Sequence, residues 1–254
     1  MTLFDLTGRT AVVTGSSRGI GLALAQGLLE AGARTVVHGR DRVVAEASAS
    51  RLREITGGEV LVETFDVADA VAVDAGIGRI ERIWGTPDIC VNNAGIQRRA
   101  PFTEFAVADW HDLLATNLTS AFLVGQRVAR GMVARGSGKI INIGSVQSRL
   151  ARPNITPYSA TKGGIVMLTQ GMCAELGPHG IQANALAPGY FATELTEALV
   201  NDVEFSAWVA RRTPAGRWGR VHELVGALVF LSSAASDFVN GQTIYVDGGM
   251  TAVV

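Results

Sequence analysis

Cysteine is nearly absent from this chain. Cys90 and Cys173 both sit in apolar contexts (DICVNN and GMCAEL), with no second cysteine at CxxC spacing and no histidine at metal-ligand spacing. A disulfide framework and a cysteine-based zinc site are thereby excluded, and both thiols are expected to be buried and free. The four histidines, at 38, 111, 179 and 222, share no short spacing, so no metal is assigned and each is read as solvated or structural. Charge is scarce too: 22 Lys+Arg against 23 Asp+Glu leave a net charge of −1, which excludes the basic footprint of a nucleic-acid binder. No apolar run approaches the roughly 18 residues of a membrane span. The opening MTLFDLTGRT has neither the charged nor the apolar region of a secretion signal. The expectation is a soluble, cytoplasmic protein that contacts no membrane and whose partners are small molecules.

Apolar side chains and glycine, by contrast, are plentiful: hydrophobic residues make up 48% of the chain against 18% charged, with 30 glycines. That supplies a large core for 254 residues, and no linker divides the sequence, so residues 1–254 read as one domain. Apolar runs recur as TAVVTG (10–15), TVVHG (35–39), VLVETFDV (60–67), DICVNN (88–93), KIINIGS (139–145), IQANALAP (181–188) and TIYVDGG (243–249). Most are continuously apolar rather than alternating, the pattern of parallel strands covered on both faces. Helical periodicity fills 19–31, with Gly32 as its stop, then 41–55, 68–84, 107–135, 157–177 and 222–234. Gly76 and Gly78 weaken the third of these by roughly 1 kcal/mol each. The alternation predicts an α/β fold, a Rossmann-type doubly wound parallel sheet of about seven strands with helices on both faces. The stretch GYFATELTEALVNDVEFSAWVARRTPAGRWG exceeds what a connection requires. It is read as one or two short helices forming a substrate lid at about 190–220, with an extra packing layer as the alternative.

The first strand ends in TGSSRGIG (14–21) and runs straight into a helix. Gly15 permits a tight turn, Gly19 lets backbone approach a pyrophosphate, and Gly21 allows close helix–strand packing. Three glycines can also serve a plain turn; the strand before and the helix after favour the nucleotide. An acid at the end of the second strand would hold the ribose hydroxyls of NAD. That strand instead ends VVHGRDR, with Gly39 at the expected position and Arg40 beside it. Arg18 and Arg40 can converge on a ribose 2′-phosphate, which favours NADP; NAD is preferred if Asp41 occupies the ribose position.

Tyr158 and Lys162 stand four apart in TPYSATKGG, on one face of a helix. A nearby ammonium lowers a phenol's pKa, and a lowering of about two units corresponds to roughly 2.7 kcal/mol. Such a phenol exchanges protons near neutral pH. Ser145, after INIG at a strand's carboxyl end, can donate to a carbonyl oxygen as charge develops there. Asn117, in the preceding helix, is the fourth polar candidate. A tyrosine and lysine at this spacing are usually unremarkable surface neighbours; the phosphate turn is what gives them meaning.

Together TGSSRGIG (14–21), FDV (65–67), NNAG (92–95), Asn117, Ser145, the YxxxK at 158–162 and PGYFATE (188–194) resemble the short-chain dehydrogenase/reductase family over nearly the whole chain. The resemblance implies that Tyr158 exchanges the proton and Ser145 orients the carbonyl. It implies that Lys162 binds the nicotinamide ribose and lowers the tyrosine pKa, and that Asn117 holds a water relaying protons through Lys162. It places Gly15, Ser17, Arg18, Gly19, Ile20, Gly21 and Arg40 around the cofactor phosphates and Asp66 and Val67 at the adenine. Asn93, Ala94 and Gly95 fall at the adenosine ribose, and Pro188, Gly189 and Thr193 at the nicotinamide. It also implies a homotetramer, which the apolar ending DGGMTAVV suits, although a strand tucked into its own subunit explains that ending equally.

Within the family, GIQRRAPFTEF (95–105), NITPYSATKG (154–163), GMCAEL (171–176), APGYFATEL (187–195), RTPAGRWG (212–219) and SDFVNG (236–241) resemble the branch that interconverts a hexonate and its 5-keto form. A sister branch acting at carbon 3 shares the RR and PAGRWG stretches. A hexonate carries a permanent carboxylate, so its pocket needs a cation and polar groups. Neighbouring side chains seldom point the same way, so Arg99 is expected inward and Arg98 outward; the alternative puts both in surface ion pairs with Glu104 or Asp109. Gln147 and Arg149 are further polar candidates beside Ser145 and Tyr158. A reductase of carrier-bound 3-ketoesters would want an apolar entry without the arginine pair, and a nucleotide sensor without turnover would often lack the tyrosine or lysine.

Overall fold

The computed structural model describes residues 2–254. Strands β1 (Thr10–Val13), β2 (Arg34–Gly39), β3 (Val60–Thr64), β4 (Ile89–Asn92), β5 (Gly138–Ile143) and β6 (Ile181–Pro188) come first in the chain. A separate two-residue pair, β7 (Phe191–Ala192) with β8 (Gly219–Arg220), precedes the last strand, β9 (Thr243–Val246). The main sheet runs β3-β2-β1-β4-β5-β6-β9 with every pair parallel, and its order reverses between β1 and β4. Ligands of such sheets bind beyond the carboxyl ends of the strands at that reversal.

Both faces are covered, which is why the strands read as unbroken apolar runs. Leu24 and Leu28 of α1 (Gly19–Glu30), Ala45, Ala49 and Leu52 of α2 (Arg42–Thr56) and Leu228 and Leu231 of α9 (Val225–Ser232) bury against Val13, Val37, Val91 and Ile141. On the other face Ile77 and Ile80 of α3 (Ala70–Trp84) and Val124, Val128 and Met132 of α5 (Ser120–Arg135) meet Val12, Val36, Cys90 and Ile140. On this same face α6 (Thr156–Leu176) packs along β6, with Met172 and Leu176 against the α3–α5 cluster. The remaining helices are α4 (Val107–Leu114), α7 (Glu197–Val200) and α8 (Val203–Arg212).

Each strand expected from the sequence is present. Several stop short at their carboxyl ends, TAVVTG at Val13, VLVETFDV at Thr64 and TIYVDGG at Val246, because the chain leaves the ladder there to build loops. The expected single helix over 107–135 is interrupted by a π-helical turn, Ala115–Thr119, which brings Asn117 to its buried position. Cys90 is fully buried, and burial pushes its thiol up to about 12. Cys173 is only partly buried, a correction to the expectation for both thiols. Inside the sheet Asn92 donates to the Oδ1 of Asn142 (2.8 Å), and Asn142 donates to the Thr169 hydroxyl (2.9 Å). These buried amides tie β4, β5 and α6 together.

One histidine fixes the turn after β1. His38, 2% exposed at the end of β2, accepts through Nδ1 from the Gly15 N–H (3.0 Å). The ring proton therefore sits on Nε2 and is donated to the Phe65 carbonyl (3.0 Å). The His38 N–H donates to the Ser16 hydroxyl (2.9 Å), which donates to Val13 (2.6 Å). Burial holds the imidazole down at about 4 against its usual 6.5. Below pH 6.5 the unfolded chain takes a proton that the folded one refuses, so stability falls as pH drops from 6.5 towards 4.

Two measurements check these contacts. A Cβ on Gly76 would land on the Phe65 ring, whereas one on Gly78 meets nothing nearer than the Arg127 guanidinium at 3.7 Å. Gly78→Ala is therefore expected to raise stability by roughly 0.5–1 kcal/mol, and Gly76→Ala to lower it, in urea unfolding. Lowering pH from 7 to 5 should remove about 2 kcal/mol through His38 alone, and His38→Gln should show a correspondingly flatter pH dependence.

Candidate active site

The carboxyl ends of β1, β4, β5 and β6 converge with the start of α6. Gly15 and Gly19 adopt φ of 64° and 58°, left-handed values that glycine takes without strain. A Cβ on Gly21 would collide with the Gly15 carbonyl and the Asn93 side chain, so that position must stay bare. The hydroxyl of Thr14 accepts from the N–H groups of both Asn93 and Ala94 (3.0 Å each). In return, the Asn93 amide donates to the carbonyls of Thr14 (2.9 Å) and Gly15 (3.1 Å). The two turns are one structure.

Above it α1 begins without a side-chain cap, leaving its first-turn N–H groups to whatever lies outside. A Cβ on Gly19 would meet nothing within 4 Å, so the space over these amides is open. Ser17 and Ile20 are partly buried in the same turn. Arg18 and Arg40 are exposed, and neither has a carboxylate partner among the described residues. Gly39, whose nearest neighbour is the Ser17 hydroxyl, leaves the end of β2 without an acid. Asp41 instead caps α2, accepting from the N–H groups of Val43 (2.9 Å) and Val44 (3.2 Å). Further along the rim, Asp66 is exposed and accepts from the Ala68 N–H (2.9 Å), while Val67 is buried. The turn thus offers backbone donors and two free cations, the chemistry of an anion site.

Ser145 leaves β5 in extended conformation and caps a short 3₁₀ turn, its hydroxyl accepting from the Gln147 N–H (3.1 Å). The Ser148 hydroxyl accepts from the Ser145 N–H (3.2 Å) and donates to the Lys162 carbonyl (2.8 Å), which fixes Ser145 against α6. Pro157 starts that helix and Tyr158 and Lys162 stand one turn apart on it. Burial pushes the Tyr158 phenol above its ordinary value, with the Ser145 hydroxyl pulling the other way. Burial brings Lys162 down to about 8. Its ammonium donates to the Ile143 carbonyl (2.7 Å) and lies 5.8 Å from the centre of the Tyr158 ring. The phenol thus lies above its ordinary value rather than below it as expected from the sequence, because burial outweighs the Ser145 hydroxyl.

The Asn117 side chain is held between the loop after Gly95 and α6. Its Oδ1 accepts from the Ile96 N–H (2.7 Å), and its Nδ2 donates to the Ile96 carbonyl (3.0 Å) and the Thr161 hydroxyl (3.4 Å). The π turn thereby clamps the loop after Gly95 to α6. Across the cleft, Gly189 donates to the Val246 carbonyl (3.0 Å) directly after Pro188. Thr193 caps the next turn, its hydroxyl accepting from the Thr196 N–H (3.3 Å).

Of the paired arginines, Arg98 turns outward to Asp109 (3.3 Å). The Arg99 guanidinium is held below its usual pKa by partial burial and by the like charge of Arg152, opposed by Tyr190. Gln147 is buried at the same place with its Oε1 unpartnered. Arg149 is exposed, and its charge acts on Tyr245 rather than on this group. Tyr190 packs edge-on to Phe205, Trp208 and Trp218 at 5.6–5.7 Å, joining the cleft to α8. Sequence reading passed over His38, Thr14, Arg152 and Tyr190 as site residues. Only Tyr190 had a usable signal, through its place inside PGYFATE.

A family model described as enoyl-(acyl carrier protein) reductase matches residues 15–251. A gluconate 5-dehydrogenase of Gluconobacter oxydans is 58% identical over 98% of this chain and 97% of its own. A 5-keto-D-gluconate 5-reductase of Escherichia coli is 51% identical over 99% of each. The crystal structure of a gluconate 5-dehydrogenase from Burkholderia cenocepacia in complex with NADP and tartrate superposes with a TM-score of 0.97 at 58% identity, covering 100% of this chain and 99% of that one. With matches of this extent on the fold and cleft just described, the chain belongs to the short-chain dehydrogenase/reductase family.

Proposed function

We propose that this protein is an NADP-dependent oxidoreductase that interconverts D-gluconate and 5-keto-D-gluconate. The observation that carries the reading is the join of two sites in one cleft: an anion-binding turn flanked by Arg18 and Arg40, and a Ser145–Tyr158–Lys162 group facing Arg99, Arg152 and Gln147. Relatives at 58% and 51% identity carrying the corresponding activity support the substrate. No helix among the described residues is long and apolar enough to cross a membrane.

The cofactor fits the residues present. The uncapped start of α1 at Gly19, Ile20 and Gly21 suits a pyrophosphate, Arg18 and Arg40 suit a 2′-phosphate, and the lack of an acid at Gly39 removes the group that would repel it. Asp66 and Val67 border the adenine side, Asn93 to Gly95 the ribose, and Pro188, Gly189 and Thr193 the nicotinamide side. When bound, the nicotinamide supplies or accepts the hydride. Everything else falls to the chain. Tyr158 gives a proton to the reacting oxygen in reduction and takes it back in oxidation. Ser145, fixed by Gln147 and Ser148, donates to the same oxygen as negative charge develops. With its pKa near 8, Lys162 can both carry charge beneath the tyrosine and pass a proton along. Asn117 keeps the Ile96 loop in place over this group, and the segment 190–220 closes the cleft as a lid through Tyr190 and α8.

Following NADPH absorbance with 5-keto-D-gluconate tests the reading, and absence of turnover with any sugar acid would sink it. Tyr158→Phe is expected to lower kcat by about 10²–10⁴ while NADPH binding persists. Arg40→Ala should raise the KM for NADPH roughly 10–100-fold more than that for NADH. Arg99→Ala should raise the KM for the sugar acid by a similar factor, and an unchanged KM would return Arg99 to the solvated surface.

A further inference from the structure

Arg152 sits in the loop that joins the Ser145 turn to α6, and nothing in the sequence marks it. Three buried polar atoms meet beside it, its own Nε, the Tyr190 hydroxyl and the Oε1 of Gln147; none makes a well-formed hydrogen bond, although Tyr190 lies near enough to Arg152 and Gln147 for both to favour its phenolate. Neither Arg152 nor Arg99 pairs with a carboxylate among the described residues. Both charges act on Tyr190, which in turn acts on Tyr158, so the five side chains share one neighbourhood.

The loop is built to hold the guanidinium there. Asn154 is the only non-glycine residue with positive φ (67°) among those described, and its carbonyl accepts from the Ala100 N–H (3.2 Å). That bond ties the Arg152 loop to the residue directly after Arg99. On the other side the Arg152 guanidinium lies over the Phe205 ring of α8, 5.5 Å from its centre. Arg99 is exposed and Arg152 partly buried, and their like charges repel each other unless an anion sits between them. Their planar forks suit a carboxylate, and the free Gln147 and Tyr190 atoms suit the hydroxyl next to it.

We propose that Arg152 and Arg99 together form a two-guanidinium fork for the substrate carboxylate, and that Arg152 sets the preference for sugar acids over neutral ketoses. The assignment rests on the sugar-acid reading above. It differs from a purely structural role, in which Arg152 only stacks on Phe205 and braces the lid.

The test compares wild type with Arg152→Leu, which keeps apolar bulk against Phe205, and with Arg152→Lys. The substrates are 5-keto-D-gluconate and D-fructose, a neutral ketone of the same carbon count. In Arg152→Leu the KM for 5-keto-D-gluconate is expected to rise at least tenfold, with the loss falling on KM rather than kcat. The ratio of kcat/KM for the acid over the ketose should fall by a similar factor, and Arg152→Lys should lie in between. The rise in thermal midpoint that D-gluconate gives the wild type in the presence of NADP should vanish in Arg152→Leu. NADPH binding by fluorescence, within twofold of wild type, shows that the variants are folded. If the wild type reduces 5-keto-D-gluconate and Arg152→Leu keeps its KM within twofold, or loses acid and ketose activity equally, the fork is wrong and the function stands. If the wild type neither reduces nor binds any sugar acid, both readings fall.

Discussion

The Thr14 hydroxyl, accepting from two successive backbone amides of the fourth strand's exit, is the contact on which the cleft depends. It locks together the turns that follow β1 and β4 at the point where the sheet order reverses. With those turns fixed, Gly21 must pack against the Gly15 carbonyl, α1 must start where it does, and its free amides must face outward. His38 closes the arrangement from the other side by taking the Gly15 N–H, so that amide serves the fold and the donors left for a ligand are those further along the turn. The cost of this construction is a neutral, deeply buried imidazole, tolerable because both ring nitrogens are hydrogen-bonded.

A second consequence concerns charge. The Tyr158–Lys162 pair is electrostatically unfinished: burial raises the Tyr158 phenol and lowers the Lys162 ammonium, so each is pushed towards its neutral form. The Arg99 and Arg152 guanidiniums lie near enough to repel each other, and neither pairs with a carboxylate among the described residues. A ligand that brings negative charge near these side chains would relax both strains together, which links occupancy of the cleft to the protonation of the groups beneath it.

Much of this was legible in the residues. The strands were readable because burial on both faces makes each one continuously apolar, and the phosphate turn because its glycines answer to steric needs that no other residue meets. Tyr158 and Lys162 were readable because helical spacing states which side chains share a face. His38 and Arg152 were not, since each acquires meaning from partners far away in sequence: Gly15 and Phe65 for one, Phe205 and Tyr190 for the other. Asn92 and Asn93 illustrate the same limit in one motif. NNAG suggested a cofactor element; its asparagines also have structural tasks that the motif does not show, Asn92 in a buried amide chain through Asn142 and Asn93 stitching one turn to another. The π turn was invisible because its extra residue leaves the apolar periodicity of 107–135 almost intact.

That turn places Asn117 by winding one more residue into the helix than the α-helical repeat requires. Loss of a single residue between 115 and 119 would let α4 and α5 merge into one regular helix with a better hydrogen-bond ladder, while turning Asn117 away from Ile96 and Thr161. The segment is thus a place where regular helix geometry and the Asn117 clamp on the Ile96 loop require different chain lengths, so a one-residue deletion here would trade the second for the first.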